Sequence, residues 1–90
     1  MKKYVIERDI SAVGKMSETE LGGAAKASNA ALAQLAPKVQ WQHSYVTADK
    51  TFCIYLAEDE AAIHEHAELS GFPATVITEV TGIIDLTTAR

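Results

Sequence analysis

The residues of this sequence that could do chemistry are concentrated in one short stretch, WQHSYVTADKTFCIY, at residues 41–55. It holds the only Trp, the only Cys, one of the three His and two of the three Tyr. Imidazole and thiolate are ligands that suit Zn²⁺ and Ni²⁺, and His also titrates near neutral pH. The stretch therefore indicates either a reactive site or a β-hairpin whose two faces both need bulky side chains.

Two residues of this stretch could be ligands. His43 lies in the middle of a strand-like segment. It is either a partly buried side chain at a subunit interface, or a ligand or proton donor in a pocket between subunits. Cys53 is either a small core residue or a reactive thiolate. A thiolate needs a positively charged neighbour, and the local sequence offers only Lys50.

The other two histidines lie two residues apart in a helix-like segment and therefore point in different directions. His66 falls in the middle of the apolar side. It is either a core histidine held by a hydrogen bond or a metal ligand or acid–base group. His64 falls on the opposite side, between Glu60 and Glu68, as an exposed residue or as part of a weak surface cation site. No spacing typical of a zinc site, a phosphate-binding loop or a nucleophile elbow is present.

Six segments must position these side chains. Their β-branched and aromatic content predicts strands at residues 3–9, 39–46, 50–57 and 74–86. The capping-box pattern SETE at residues 17–20 begins the first helix, which ends before Pro37. The second helix begins at the acidic residues 58–60 and ends at Ser70-Gly71. The order β-α-β-β-α-β predicts a ferredoxin-like sandwich of the α+β class, an antiparallel sheet with both helices on one face.

The hairpin of the second and third strands has bulky residues on both faces. If Ala48-Asp49 forms a two-residue turn, alternation predicts one face made of Trp41, His43, Tyr45, Phe52, Ile54 and Leu56. The opposite face then carries Cys53 and Tyr55. Because the two helices cover only one face, we expect a second copy of the chain to cover the other. Alternation leaves open which of the two faces carries His43.

Length and charge narrow the class of protein. Ninety residues, 48% of them hydrophobic, predict a single domain over residues 1–90. The net charge of −4 and the absence of a Lys/Arg cluster argue against a nucleic acid or an anionic membrane as partner. One Cys cannot form an internal disulfide, and no stretch is typical of a secretion signal or a membrane span. We therefore expect a cytoplasmic protein.

Several short motifs are spread over nearly the whole chain, from about residue 3 to residue 89. They are WxHSYV at residues 41–46, Cys53 with Tyr55, Glu65-His66-Ala67, Gly71-Phe72-Pro73, and Ile84-Asp85 with Thr87-Thr88. Together they resemble a family of small bacterial proteins of poorly defined function, one branch of which is nickel-binding or nickel-responsive. Leu86 departs from the family pattern, which has Pro there, and His64 and the Gly22-Gly23 pair lie outside it.

The resemblance implies a ferredoxin-like homodimer, and its nickel-binding branch implies nickel as the metal. Imidazole and thiolate ligands would suit zinc as well. The motif positions make His43, His66 and Cys53 the candidate metal ligands, with carboxylates able to complete the shell. We identify no catalytic residue and expect binding rather than catalysis. The alternative is a small-molecule-binding protein or enzyme with a pocket between the sheet and its dimer partner, where His43, Tyr45 and Tyr55 would act. His43 and His66 can share a site only if His43 lies on the helix-covered face.

Overall fold

Four antiparallel strands form the sheet of this protein, with two helices against one face. The computed structural model describes residues 1–89. Its strands and helices follow the predicted order: β1 (Lys2–Asp9), α1 (Glu18–Leu35), β2 (Val39–Val46), β3 (Lys50–Ala57), α2 (Glu60–Ser70) and β4 (Val76–Val80). The strands lie in the order β2-β3-β1-β4 and all neighbours are antiparallel. This arrangement confirms the ferredoxin-like α+β fold.

The helix ends are formed by the residues that the capping patterns indicate. Ser17 Oγ accepts a hydrogen bond from the Glu20 backbone N–H, and Glu20 Oε1 accepts one from the Ser17 N–H. At the start of α2, Asp59 Oδ1 accepts from the Ala62 N–H. The helix ends at Gly71, which has the left-handed φ of 78° that glycine tolerates best. Within residues 1–89, neither helix is long and apolar enough to cross a membrane.

The core lies between the helices and one face of the sheet. Alternate residues of β1 and β3 point into it, and they pack against side chains of both helices. The buried apolar cluster consists of Tyr4, Ile6, Leu35, Val39, Cys53, Tyr55, Ala57, Ala62 and Ile63. The other face of the sheet, which we call the open face, carries half-buried apolar side chains that include Val5, Phe52, Ile54 and Leu56.

Strand β2 contains an irregularity that simple alternation does not predict. Trp41 pairs with Tyr55, but the next pair along is His43 with Ile54, so one extra residue lies in β2 at this point. The bulge turns Trp41 to the helix-covered face, where its ring stacks on Tyr55 with centroids 6.4 Å apart. The prediction that Trp41 shares a face with His43 is therefore wrong.

The last strand is shorter than predicted. The β-rich pattern indicates a strand over residues 74–86, whereas β4 ends at Val80. Residues 81–89, which we call the C-terminal segment, continue without a strand partner in the structure and end in a short 3-10 turn at Leu86–Thr88. Its apolar side chains are unusually exposed, with Ile84 at 85% and Leu86 at 96%. Exposed aliphatic side chains of this kind favour contact with another surface.

Replacing glycines by alanine is expected to have opposite effects at two sites. A Cβ at Gly22 or Gly23 would meet nothing within 4 Å, and both residues lie in the exposed part of α1. Ala there is expected to raise the free energy of unfolding by about 1 kcal/mol per position, because Ala favours a helix over Gly. A Cβ at Gly14 would lie 2.7 Å from the Thr47 carbonyl oxygen. Gly14→Ala is expected to lower stability by about 1–3 kcal/mol, since backbone must move.

Urea unfolding of the Gly22→Ala/Gly23→Ala double variant and of Gly14→Ala measures both effects. A Gly14→Ala protein as stable as the unchanged chain would contradict the close approach of residues 14 and 47–48.

Candidate functional site

His43 lies on the open face of the sheet. It pairs with Ile54 across β2 and β3, and its side chain is exposed. Its Nε2 lies 3.2 Å from the Tyr45 hydroxyl oxygen, and the two rings meet edge to face with centroids 5.1 Å apart. Tyr45 itself is 60% exposed. His43 and Tyr45 therefore form a solvent-facing pair on the face that the helices leave uncovered.

The other two candidate ligands lie on the opposite side of the sheet. His66 is 1% exposed and Cys53 is also buried, with its Sγ 3.4 Å from Thr51 Oγ1. The sheet separates both from His43, so one chain does not bring the three candidates together. Among residues 1–89, no group of three or more His, Cys, Asp or Glu residues could hold a metal ion. The residues around His64 are therefore not such a group either. The roles of His43, His66 and Cys53 as metal ligands stay predictions.

A directed chain of hydrogen bonds surrounds His66. Arg8 can only donate, so its Nη2, 3.4 Å away, requires His66 Nδ1 to accept. The proton of the neutral ring is then on Nε2, which donates to Ser28 Oγ at 3.1 Å. Ser28 Oγ lies 3.4 Å from the Tyr55 hydroxyl oxygen, and either of these two hydroxyls can be the donor. Hydrogen bonds thus link Arg8, His66, Ser28 and Tyr55, and one hydroxyl proton of the Ser28–Tyr55 pair is left for a further acceptor.

Titration behaviour agrees with this direction. Burial, and secondly the charge of Arg8, lower the pKa of His66 to about 4, so its ring is neutral at pH 7. Burial raises the pKa of Tyr55 above its usual value of 10, so the phenol keeps its proton. Arg8 is consequently the one charged member of the cluster at neutral pH.

Arg8 is buried without a negatively charged partner among residues 1–89. Its side chain is 3% exposed, and its Nη1 donates to the carbonyl oxygens of Phe72 at 3.3 Å and Pro73 at 2.9 Å. The guanidinium carbon also lies 5.8 Å from the centre of the Tyr55 ring. The ion pairs within residues 1–89 join Lys2 to Glu79 and Lys50 to Glu7 and Asp9, and none of them includes Arg8. Dipoles and an aromatic ring replace the carboxylate that usually accompanies a buried cation.

A cavity of about 230 Å³ lies beside Arg8, between α1 and the sheet. Its wall is mostly apolar and includes Met16, Leu21, Trp41 and Phe72, while Arg8, Ser28 and Tyr55 supply polar groups. The alternative expectation places a pocket between the sheet and a partner, with His43, Tyr45 and Tyr55 as its groups. Of these three residues only Tyr55 lines this cavity. The cavity therefore lies within one chain, on the side of the sheet away from His43.

Arg8 and Ser28, which belong to the hydrogen-bonded cluster and line the cavity, are not predicted from the sequence to be functional. The signal for Arg8 is alternation, because Tyr4, Ile6 and Arg8 occupy every second position of β1. Ser28 lies in register with the apolar residues of α1, which predicts its burial but not its partner.

Comparisons with known proteins identify relatives for most of the chain. Residues 4–80 match the sequence model of the family described as nickel responsive protein SCO4226-like. The crystal structure of SCO4226 from Streptomyces coelicolor A3(2) superposes with a TM-score of 0.76 at 15% sequence identity, covering 91% of this chain and 99% of that one. At this identity the likeness of the structures shows the fold alone. No curated protein matches the chain.

Acid is expected to destabilise the fold through His66. In the unfolded chain its pKa is near 6.5 and in the fold about 4, so the unfolded state binds more protons between these values. The contribution of His66 to the free energy of unfolding is therefore complete above about pH 7 and is lost as the pH drops towards 4. The loss amounts to about 2 kcal/mol between pH 7.5 and 5.0. His66→Gln can keep hydrogen bonds to Arg8 and Ser28 but cannot titrate. We expect this variant to lose that part of the pH dependence.

Urea unfolding of both proteins at pH 7.5 and 5.0 checks this, because His43, His64 and the carboxylates are common to both and cancel in the difference. An equal fall in stability in the two proteins would show that His66 is not the responsible group.

Proposed function

Because the chain belongs to the nickel responsive SCO4226-like family, we propose that it is a small homodimeric protein that binds nickel at a site completed by two copies of the chain. The observation that carries this proposal is the exposed pair of His43 and Tyr45 on an apolar sheet face.

His43 has the chemistry and the access that a nickel ligand needs. Imidazole nitrogen is a preferred donor for Ni²⁺, and the His43 side chain is exposed to solvent. One imidazole and the neighbouring Tyr45 hydroxyl are too few ligands for a tight site. A two-fold axis at the open face would double this set, because a symmetric interface presents the same residues twice. The site is accordingly proposed at the subunit junction.

The open face has the composition of a surface that another subunit covers. Val5, Ile54 and Thr78 lie in the same cross-strand row as His43. Phe52 and Leu56 flank this row and remain only half-buried in one chain. The exposed aliphatic side chains of the C-terminal segment enlarge the apolar surface beyond the sheet. A second copy that covers the open face and the C-terminal segment would remove their apolar side chains from water. The gain in free energy is proportional to the apolar area covered.

His66 and Cys53 do not support a metal site in the single chain. Each is buried on the helix-covered side, and the Nδ1 of His66 already accepts from the Arg8 guanidinium. A metal cation bound there would lie beside a positive charge that no carboxylate of residues 1–89 neutralises, which is unfavourable in a poorly solvated site. His43 is therefore the candidate ligand that we retain in the proposal.

Nickel titration of chelator-treated protein tests the site. We expect a dissociation constant in the micromolar range for the unchanged chain. His43→Ala should weaken binding by about 100-fold or more, because it removes a ligand from each of two subunits. His66→Gln should bind nickel as the unchanged chain does.

His64→Ala is the matched control, since His64 is an exposed histidine on α2, away from the sheet. Isothermal titration calorimetry measures all four proteins. Affinity no better than millimolar, or equal affinity in the His43→Ala protein, would refute the site.

Mass measurement in solution tests the dimer separately. Light scattering at micromolar concentration is expected to report twice the mass of one chain. Ile54→Lys should yield a monomer, because it introduces a charge in the middle of the open face. Leu69→Lys, at a residue of α2 that is 48% exposed, is the matched control and should remain a dimer. A monomeric unchanged chain would contradict the proposed assembly.

A further inference from the structure

We propose that the cavity between α1 and the sheet binds a small organic anion, an apolar molecule with a carboxylate head group that contacts Arg8 and Tyr55. The site lies within one chain and contains neither His43 nor Tyr45, the two residues of the proposed nickel site. It therefore stands independently of the nickel site and of the dimer.

The charge of the site selects an anion. Arg8 lines the cavity, is buried, and forms no ion pair with a carboxylate of residues 1–89. A guanidinium in poorly solvated surroundings attracts a negative group strongly, and its planar set of donors matches the two oxygens of a carboxylate. The same charge opposes organic cations and metal ions. A carboxylate would supply the missing negative partner.

The hydrogen bonds of the cluster provide a second donor in the same cavity. Because Ser28 accepts from His66 and shares one hydrogen bond with Tyr55, one hydroxyl proton of the Ser28–Tyr55 pair is left for a further acceptor, and Ser28 also lines the cavity. Tyr55 and Arg8 both line the cavity. Arg8 and the hydroxyl pair present donors to a ligand, and an ionised carboxylate accepts from both with no proton of its own to place, unlike an alcohol or amine. The polar groups thus favour an acceptor-only head group, which is what an ionised carboxylate is.

Size and wall chemistry describe the rest of the ligand. The volume of about 230 Å³ exceeds the roughly 150 Å³ of an engineered cavity that holds benzene and is smaller than a drug-sized site. Trp41, Phe72, Met16 and Leu21 offer an apolar surface for a ring or a short alkyl chain. A single aromatic ring or a chain of comparable size fits this space. Arylacetates and medium-length fatty acids combine an apolar group of this size with a carboxylate, and they are therefore the expected ligand classes.

Phenylacetate and 2-phenylethanol form a matched pair of probes, because they share the ring and differ in the charged head group. Trp41 is the only Trp of the chain and lines the cavity, so its fluorescence reports binding. We expect phenylacetate to bind with a dissociation constant below about 1 mM, which is within reach for ten non-hydrogen atoms. 2-Phenylethanol should bind at least about tenfold more weakly. The titrations contain EDTA, so a failed nickel site does not affect them.

Variants locate the binding. Tyr55→Phe keeps the ring and removes one hydroxyl donor, and it should weaken phenylacetate about tenfold and 2-phenylethanol less, because a neutral hydroxyl accepts a weaker hydrogen bond than a carboxylate. Arg8→Met should abolish selectivity for the acid. Ala25→Phe places a ring in the cavity and should abolish binding of both probes, while Ala30→Phe on the exposed side of α1 is the control that should not.

Circular dichroism verifies the fold of each variant. If Arg8→Met does not fold, the comparison of the two probes in the Tyr55→Phe and Ala25→Phe proteins decides. Equal affinity for acid and alcohol, no saturation by phenylacetate up to about 10 mM, or unchanged phenylacetate binding in both of these variants would overturn the proposal.

Discussion

The positive charge of Arg8 is buried with no carboxylate partner in the described part of the chain, and the interior of this fold depends on this constraint. Its guanidinium joins β1 to the carbonyl oxygens of Phe72 and Pro73, which follow α2, and to the imidazole of His66 within α2. Through His66 it also reaches Ser28 of α1. Desolvating an ion costs several kcal/mol unless oriented dipoles compensate it. The positions of both helices relative to β1 are therefore linked to the solvation of a single side chain.

This constraint also decides what each side of the sheet can bind. Burial, and secondly the charge of Arg8, keep His66 neutral. The same charge disfavours a second cation nearby, so the helix-covered side is suited to anions. The open face has a different balance, with an exposed imidazole, a phenol and aliphatic neighbours. A metal site and an organic-anion site are electrostatically incompatible in one cavity but compatible on opposite faces. The sheet itself provides that separation, since alternate residues of each strand serve different sides.

Features that depend on local rules could be predicted from the sequence, and those that depend on tertiary contacts could not. The capping box at Ser17–Glu20, the turn at Ala48-Asp49 and the glycine end of α2 are local, and the structure confirms them. The bulge in β2 depends on how Trp41 packs against Tyr55 of β3. The sequence of β2 alone carries no information about that contact. Arg8 looks from its neighbours Glu7 and Asp9 like part of a solvated strand end. Its burial becomes evident only when Phe72 and Pro73, more than sixty residues later, supply its acceptors.

The bulge in β2 shapes both the cavity and the open face. With regular alternation, Trp41 would lie beside His43 on the open face, and the cavity would lose an aromatic part of its wall. One extra residue between them turns the indole inward while the imidazole stays outward. Trp41 then donates from Nε1 to Ser44 Oγ at 3.0 Å, which bridges the irregularity on the inner side. A single edge strand can thus contribute an aromatic wall to one site and a histidine to another, because the bulge changes the side on which its residues point.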